Sequence, residues 1–200
     1  MELSKKSIVR TAMDILNREG IGKLSMRPLA AALGVKAAAL YWHIKDKREL
    51  YSLIAEEVCA GIKPTCGLSD AKKYLLESAR IYRENLLALR DSVEIFIYSS
   101  PSTPIRFELI KSIMICLIHL GIKEENCLIA AGIFNNYVLS FAADEARFRS
   151  LPPGAFYNGF DGILGTEYAK LSFDEQFERG LEVLFTGFDV LKSKRKPGNY

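Results

Sequence analysis

The chain is predicted to be all-α, on three observations. Apolar residues recur three and four apart along most of its length, with almost none of the strict alternation that a half-buried strand needs. Two capping boxes, Asp46 with Glu49 and Ser172 with Glu175, stand directly before apolar helical stretches. Pro and Gly gather between those stretches rather than inside them. The architecture expected is a three-helix N-terminal helix-turn-helix head followed by a larger helical C-terminal body.

The first helix is expected over about residues 4 to 18, with Ile8, Ala12, Ile15 and Leu16 on one face, ending at Gly20. The second, over about 26 to 33, has Ser25 as its N-cap. Its Pro28 sits in the first turn, where a missing N–H leaves no bond unmade, and Gly34 supplies a left-handed end. The chain restarts at Lys36. Leu40 and Ile44 recur at helical spacing, and Ala37, Ala38 and Ala39 add helix propensity with almost no bulk. Two helices joined by so tight a turn make a helix-turn-helix, whose second member is the natural reader of a DNA major groove.

Asp46 and Glu49 open a fourth helix, carrying Leu50, Leu53, Ile54 and Val58 to about residue 59, that joins head to body. After a break at Pro64, Gly67 and Ser69, a longer helix runs to about residue 90. A short helical turn over 93 to 98 and a loop with Pro101 and Pro104 lead to a helix over about 105 to 120, stopped by Gly121. A long helix follows from about 124 to 148. Residues 150 to 171, rich in Gly and Pro, are expected to be an irregular connection. Ser172 and Glu175 then open a final helix with a broad stripe of Phe173, Phe177, Leu181, Leu184, Phe185, Phe188 and Leu191, and residues 192 to 196 form a basic, solvated end. The division expected is 1–46 for the head, 47–62 for the connecting helix and 63–200 for the body.

Charge points to the same end of the chain. Residues 1 to 48 hold ten bases against four acids, a balance of +6 that leaves −3 for the rest of a +3 chain. Phosphate binding needs local positive charge, which a basic head on a mildly acidic body provides. Other classes are disfavoured. The longest apolar run, near residues 113 to 120, is interrupted by His119 and too short to span a bilayer, so no membrane partner is expected. The N-terminus opens on a charged amphipathic helix rather than a signal peptide. Cys59, Cys66, Cys116 and Cys127 lack metal spacing and read as small buried hydrophobes of a reducing cytoplasm. No nucleophile with a base, glycine-rich phosphate loop or metal-spaced cluster appears, so neither enzyme activity nor a cofactor is expected.

The string LGVKAAALYWHIKDKREL resembles the tetracycline-repressor (TetR) family: a Leu-Gly-Val turn, a short reading helix, Leu-Tyr-Trp-His, then Lys-x-Lys-x-x-Leu. The match is specific over about the first 60 residues. A weaker helix order beyond, with an Arg90-Asp91 pair and a long penultimate helix, resembles the tetracycline-repressor branch itself. The resemblance implies an all-helical homodimer whose heads bind a palindromic double-stranded operator and whose bodies pair and hold a small-molecule inducer.

It also implies that Lys36, Tyr41, His43 and Lys47 touch the DNA backbone. On its own chemistry Arg27, at the second position of its helix, reaches base edges or phosphates, and Arg is the usual bidentate partner of guanine. Trp42 is open to core packing or a phosphate contact: its ring is expected to pack while its indole N–H points outward, so both roles can hold and it counts among the DNA-binding residues. Ala37, Ala38 and Ala39 stand where the branch carries polar base readers, and offer only close approach and apolar contact with thymine methyls. Discrimination then falls on Arg27 and on DNA shape.

In the body, the branch's drug and magnesium positions correspond to Lys63, Ser78, Tyr82, Phe96, Ser99, Ile113, Asn136, Tyr137, Phe141 and Asp144. Phe96 cannot ligate a metal, and Asp144 without a neighbouring imidazole makes no magnesium site, so no metal is expected and the inducer is expected to be apolar or aromatic. The function expected is a ligand-responsive transcriptional regulator, a repressor released by inducer. The alternative is a constitutive DNA-binding protein whose aromatics form a closed core.

Overall fold

A computed structural model describes residues 3–152 and 171–192. Most of the expected connection after residue 150, and the basic end beyond Lys192, lie outside the described residues. The helices are α1 Lys5–Glu19, α2 Met26–Ala32, α3 Ala37–Leu40, α4 Lys47–Ala60, α5 Ala71–Ala88, α6 Ser92–Tyr98, α7 Pro104–His119, α8 Glu124–Arg149 and α9 Phe173–Gly187, the last continuing as a 3₁₀ turn over Phe188–Leu191. Among the described residues there is no strand, only one isolated antiparallel bridge between Ile122 and Lys192. The protein is all-α, as its periodicity predicts.

Two compact units form. The described residues up to Thr65, together with Glu77–Ser112, make the first, and Cys66–Leu76 with the residues from Ile113 onward make the second. In the first unit the apolar faces of the head converge: Ile8, Ala12, Leu16, Leu24, Leu29, Leu40, Ile44, Leu50 and Ile54 are wholly buried. Burying one Leu or Ile side chain is worth about 1.5–3 kcal/mol, so this cluster is what holds four short helices together.

Capping explains where the helices begin and end. Ser4 caps α1 through a reciprocal pair in which Ser7 N–H donates to Ser4 Oγ at 3.2 Å and Ser4 N–H donates to Ser7 Oγ at 2.9 Å. Gly34, at φ +68°, ends α2: its N–H donates to the Ala31 carbonyl, and Val35 N–H donates to that of Ala30. Ser25 occupies the N-cap of α2, but its side chain makes no capping bond, so its contribution there is conformational only. Asp46 accepts from Glu49 N–H at 2.8 Å. Glu49 does not return the bond to Asp46. Its carboxylate reaches one residue further back, to Lys45 N–H at 2.7 Å. The Ser172–Glu175 box at the start of α9 is complete.

The third helix is shorter than its spacing predicts. Regular α-helix covers Ala37–Leu40, and residues 41–43 form a turn in which the Leu40 carbonyl accepts from both His43 and Ile44 N–H groups at 2.9 Å. The fifth stops at Ala88, before the expected residue 90, because Asp91 turns left-handed at φ 54°.

In the second unit α8 buries Cys127, Ala130, Phe134, Val138 and Ala142 along one side. Phe177, Leu181 and Phe188 are the buried members of the C-terminal stripe. Tyr137 lies against Gly180 of α9, where a Cβ would overlap its ring, and its hydroxyl donates to the Phe177 carbonyl at 2.8 Å.

Candidate functional site

Leu29, Leu40 and Ile44 point into the head's core, which leaves the other side of the two short helices outside. Arg27, Lys36, Ala38, Tyr41, Trp42 and Lys47 are exposed, and Ala37, Ala39 and His43 are half-buried. Of the two roles open to Trp42, the packed ring is not found. The residue is 87% exposed, because Leu40 and Ile44 take the inward positions of the turn and Trp42, midway between them, falls on the opposite side. Among the described residues no hydrogen bond or ion pair engages the side chains of Arg27, Lys36, Tyr41 or Trp42. The Lys47 ammonium lies 5.3 Å from the centre of the Tyr51 ring.

Helix α4 is tied at successive turns to other parts of the first unit. Lys5 Nζ pairs with Glu49 Oε1 at 2.9 Å, linking α1 to the start of α4. The Lys45 N–H first, and then Lys5, hold the Glu49 carboxyl below its ordinary value of 4.5. Further along, Ser52 Oγ accepts from Ser100 N–H at 3.1 Å and Glu56 Oε1 accepts from Ile105 N–H at 2.9 Å. Asn85 Nδ2 donates to the Val58 carbonyl at 3.0 Å. Between the α4 face and the α6–α7 loop lies a cleft of about 460 Å³, bordered by Lys5, Arg48, Ser52, Glu56, Ser100 and Thr103 among others.

Of the expected ligand positions in the first unit, Ser78, Tyr82 and Phe96 are buried, Ser99 is half-buried and Lys63 is exposed. The Tyr82 and Phe96 rings are 5.4 Å apart, tilted by 57°. Burial pushes the Tyr82 hydroxyl well above its ordinary value of 10, the nearby Cys59 adds to this, and the Arg106 charge opposes it. Burial also raises the Cys59 thiol to about 11. Arg106 was not singled out by sequence reasoning, since one Arg in the first turn of a helix carries no signal of burial. It is only 8% exposed. Its guanidinium lies 4.9 Å from the Phe96 ring centre, and Nη1 donates to Ser99 Oγ at 2.8 Å and to the Ser100 carbonyl at 2.9 Å.

In the second unit Tyr137 and Phe141 come together with Phe177, at centroid separations of 5.9, 5.5 and 5.0 Å. Ile113 is half-buried, and Asn136 and Asp144 are exposed. Asp144 pairs with Arg147 at 2.8 Å. Among the described residues no three His, Cys, Asp or Glu side chains gather as metal ligands would.

A basic head, a tight turn after α2 and an outward row of Arg, Lys, Tyr and Trp define a helix-turn-helix DNA-binding protein. Residues 8–54 match the family described as bacterial regulatory proteins, tetR family. The head is a TetR-family N-terminal domain, and the relatives and solved structures that the chain resembles over most of its length support a TetR-family DNA-binding transcriptional regulator. It is similar over its length to the tetracycline repressor protein class E of Escherichia coli, at 26% identity covering 97% of this chain and 94% of that protein. Among solved structures, ActR of Streptomyces coelicolor in complex with actinorhodin is 27% identical with a TM-score of 0.80, covering 95% of this chain and 98% of that one. BioQ with its natural double-stranded DNA operator is 27% identical with a TM-score of 0.75, covering 94% and 98%.

Proposed function

We propose that this protein is a ligand-released repressor which binds a palindromic double-stranded operator as a homodimer. The observation that carries the reading is the exposed face of Arg27, Lys36, Tyr41, Trp42 and Lys47, with Trp42 87% exposed on an otherwise well-buried head. A large aromatic ring held in solvent is costly unless it meets a partner, and a phosphate backbone flanked by bases suits an indole beside cations. Ala37, Ala38 and Ala39 let the reading helix sit close to base edges, Arg27 supplies direct readout, and His43 with the lysines positions the head. The functional division proposed is head 1–46, connecting helix 47–62 and effector-binding and dimerising body 63–200.

Release follows from the ties along α4. Paired reading helices must lie about 34–36 Å apart to enter successive major grooves. An effector in the body that displaces the 99–105 segment pulls on Ser52 and Glu56, and so on the helix that carries the head. It switches the protein only by binding the two arrangements with different affinity. The candidate contacts are Tyr82, Phe96, Ser78, Ser99 and Lys63 in the first unit and Tyr137, Phe141, Asn136, Ile113 and Asp144 in the second, and the aromatic members of each set favour an apolar or aromatic effector. ActR supports the reading as a similar fold solved in complex with a small molecule, actinorhodin, and BioQ as one solved with its operator.

A second reading, constitutive DNA binding with no effector, draws on the mutual packing of Tyr82 with Phe96 and of Tyr137 with Phe141 and Phe177. The deciding experiment is a gel shift at fixed salt on DNA from upstream of the protein's own gene, against scrambled competitor. Saturable specific binding, reversed by a small molecule, supports the repressor. Specific binding that no compound reverses supports the constitutive protein, and equal competition by scrambled DNA overturns both.

A further inference from the structure

We propose that the effector is an aromatic acid whose carboxylate binds side-on to the Nε–Nη2 edge of Arg106, a specification that holds only if the chain is effector-released as above. A buried guanidinium is among the costliest groups to leave without a counter-charge. Arg106 is 92% buried by its 8% exposure, and among the described residues no carboxylate pairs with it. Glu56 of α4 accepts from the N–H of Ile105 and forms no ion pair with Arg106 among the described residues.

The contacts of Arg106 also say which part of it remains. Both Nη1 hydrogens are taken, one by Ser99 Oγ and one by the Ser100 carbonyl, and one face of the guanidinium lies on the Phe96 ring. What is left is the edge formed by Nε–H and Nη2–H, two parallel donors whose spacing matches the two oxygens of a carboxylate. A second polar group points the same way. Ser78, one turn of α5 before Tyr82, is only 2% exposed and its Oγ has no hydrogen-bond partner among the described residues. Ser78, Tyr82, Phe96 and Arg106 thus form a run of neighbours that offers an aromatic wall, a fork of donors and a hydroxyl. The aromatic wall and the paired donors of Arg106 favour an aromatic acid over inorganic phosphate.

The position of the fork makes it a sensor as well as an anchor. Ser100, whose carbonyl Arg106 holds, donates its own N–H to Ser52 of α4, and Ile105, beside Arg106, donates to Glu56 of α4. A carboxylate drawn to Arg106 therefore acts on the segment that is bonded to the connecting helix.

The test uses the full-length protein and a set of aromatic acids (benzoate, salicylate, 2-naphthoate and anthraquinone-2-carboxylate), each compared with its neutral carboxamide, with thermal unfolding as the readout. We expect at least one acid to raise the melting temperature in a saturable way, its amide to bind at least about tenfold more weakly, and inorganic phosphate to have no comparable effect. Arg106→Gln should abolish the response. Ser78→Ala should fold and melt as the wild type does and bind the acid several-fold more weakly. This second variant and the acid–amide comparison stand even if Arg106→Gln fails to fold. A set in which no acid shifts the wild type, an amide as effective as its acid, phosphate as effective as the acids, or an Arg106→Gln variant that responds like the wild type would each overturn the assignment. Operator binding without any compound is measured alongside. Its loss sinks the regulator reading itself, whereas silent acids with intact DNA binding sink only the carboxylate.

Discussion

The carboxylate of Asp91 accepts the backbone N–H of Ile21 at 2.7 Å, joining positions 70 residues apart in the chain. Around it, Arg90 N–H donates to Asn17 Oδ1 at 3.0 Å, and Arg90 Nη1 donates to the Arg18 carbonyl at 3.3 Å. The corner between α5 and α6 thereby caps the end of α1. Asp91 holds φ 54° to do so, a conformation that Asp tolerates better than most residues.

Gly20 sits directly under this corner, and its replacement should loosen it. Its φ of +83° and ψ of 171° belong to a region that only glycine occupies readily. A Cβ there would also come within 2.9 Å of Asp91 Oδ2 and 3.0 Å of Arg90 Nη2. Gly20→Ala should cost about 2 kcal/mol and lower the melting temperature by several degrees. An unchanged melting curve, followed by circular dichroism, would show that the corner yields freely.

On the DNA face, stability and binding should separate. Trp42→Ala removes a side chain that is 87% exposed, so stability should stay within about 0.5 kcal/mol of the wild type while affinity for every DNA sequence falls. Tyr41→Ala should behave likewise. Arg27→Ala should in addition blur discrimination at one or two base pairs, by about 1–3 kcal/mol. Competition gel shifts against single-base operator variants distinguish these outcomes, and equal losses on every variant would remove Arg27 from the readers.

Local chemistry was legible in the sequence and distant chemistry was not. Ser172 with Glu175, Asp46, Gly20 and Gly34 mark helix ends through neighbours within five residues, so spacing alone places them. The burial of Ile8, Leu40 and Ile44 follows from periodicity in the same way. The bonds from Asp91 to Ile21, Glu56 to Ile105 and Ser52 to Ser100 join residues 48 or more positions apart and leave no periodic trace. Arg106 is hidden for another reason: its partners Phe96, Ser99 and Ser100 precede it closely in the chain, but they meet it across the irregular turn between α6 and α7, where no helical period relates them. For Trp42 core packing and a phosphate contact both stay open on spacing alone, and only the turn at 41–43 shows that its ring lies outside the core.

The Glu49 contacts should appear in the acid branch of stability. Its carboxyl titrates below its ordinary 4.5 in the folded protein, because Lys45 N–H and then Lys5 favour the charged form. Between those two values the unfolded chain binds more protons, so stability rises with pH there. The contribution is complete above about pH 4.5 and disappears as pH falls through the folded value. Melting temperatures of the wild type and Glu49→Gln should therefore differ by a constant amount from neutral pH down to about pH 5 and converge below it. A difference that persists into strong acid would assign the effect to packing instead.

Helix α8 has apolar residues on two sides, and the second side demands a partner. While Cys127, Ala130, Phe134, Val138 and Ala142 are buried, Leu128 is 72% exposed, Ile129 56% and Ile133 46%, and Val183 on α9 is 73% exposed. The helix is long and apolar enough by composition to cross a bilayer, but its buried stripe recurs at helical spacing and its ends carry Glu124, Glu125, Arg147 and Arg149, as in a core helix with one face left over. We expect a second copy of the chain, meeting it in a two-fold four-helix arrangement, to cover that face. Leu128→Glu combined with Ile129→Glu should leave each copy folded, since both side chains are outside the core, and convert the protein to a monomer in sedimentation velocity. With two heads binding one palindrome as proposed, operator affinity should fall by roughly 10²–10⁴-fold. A double variant that sediments as the wild type and binds DNA equally well would place the dimer contact on another face of the chain.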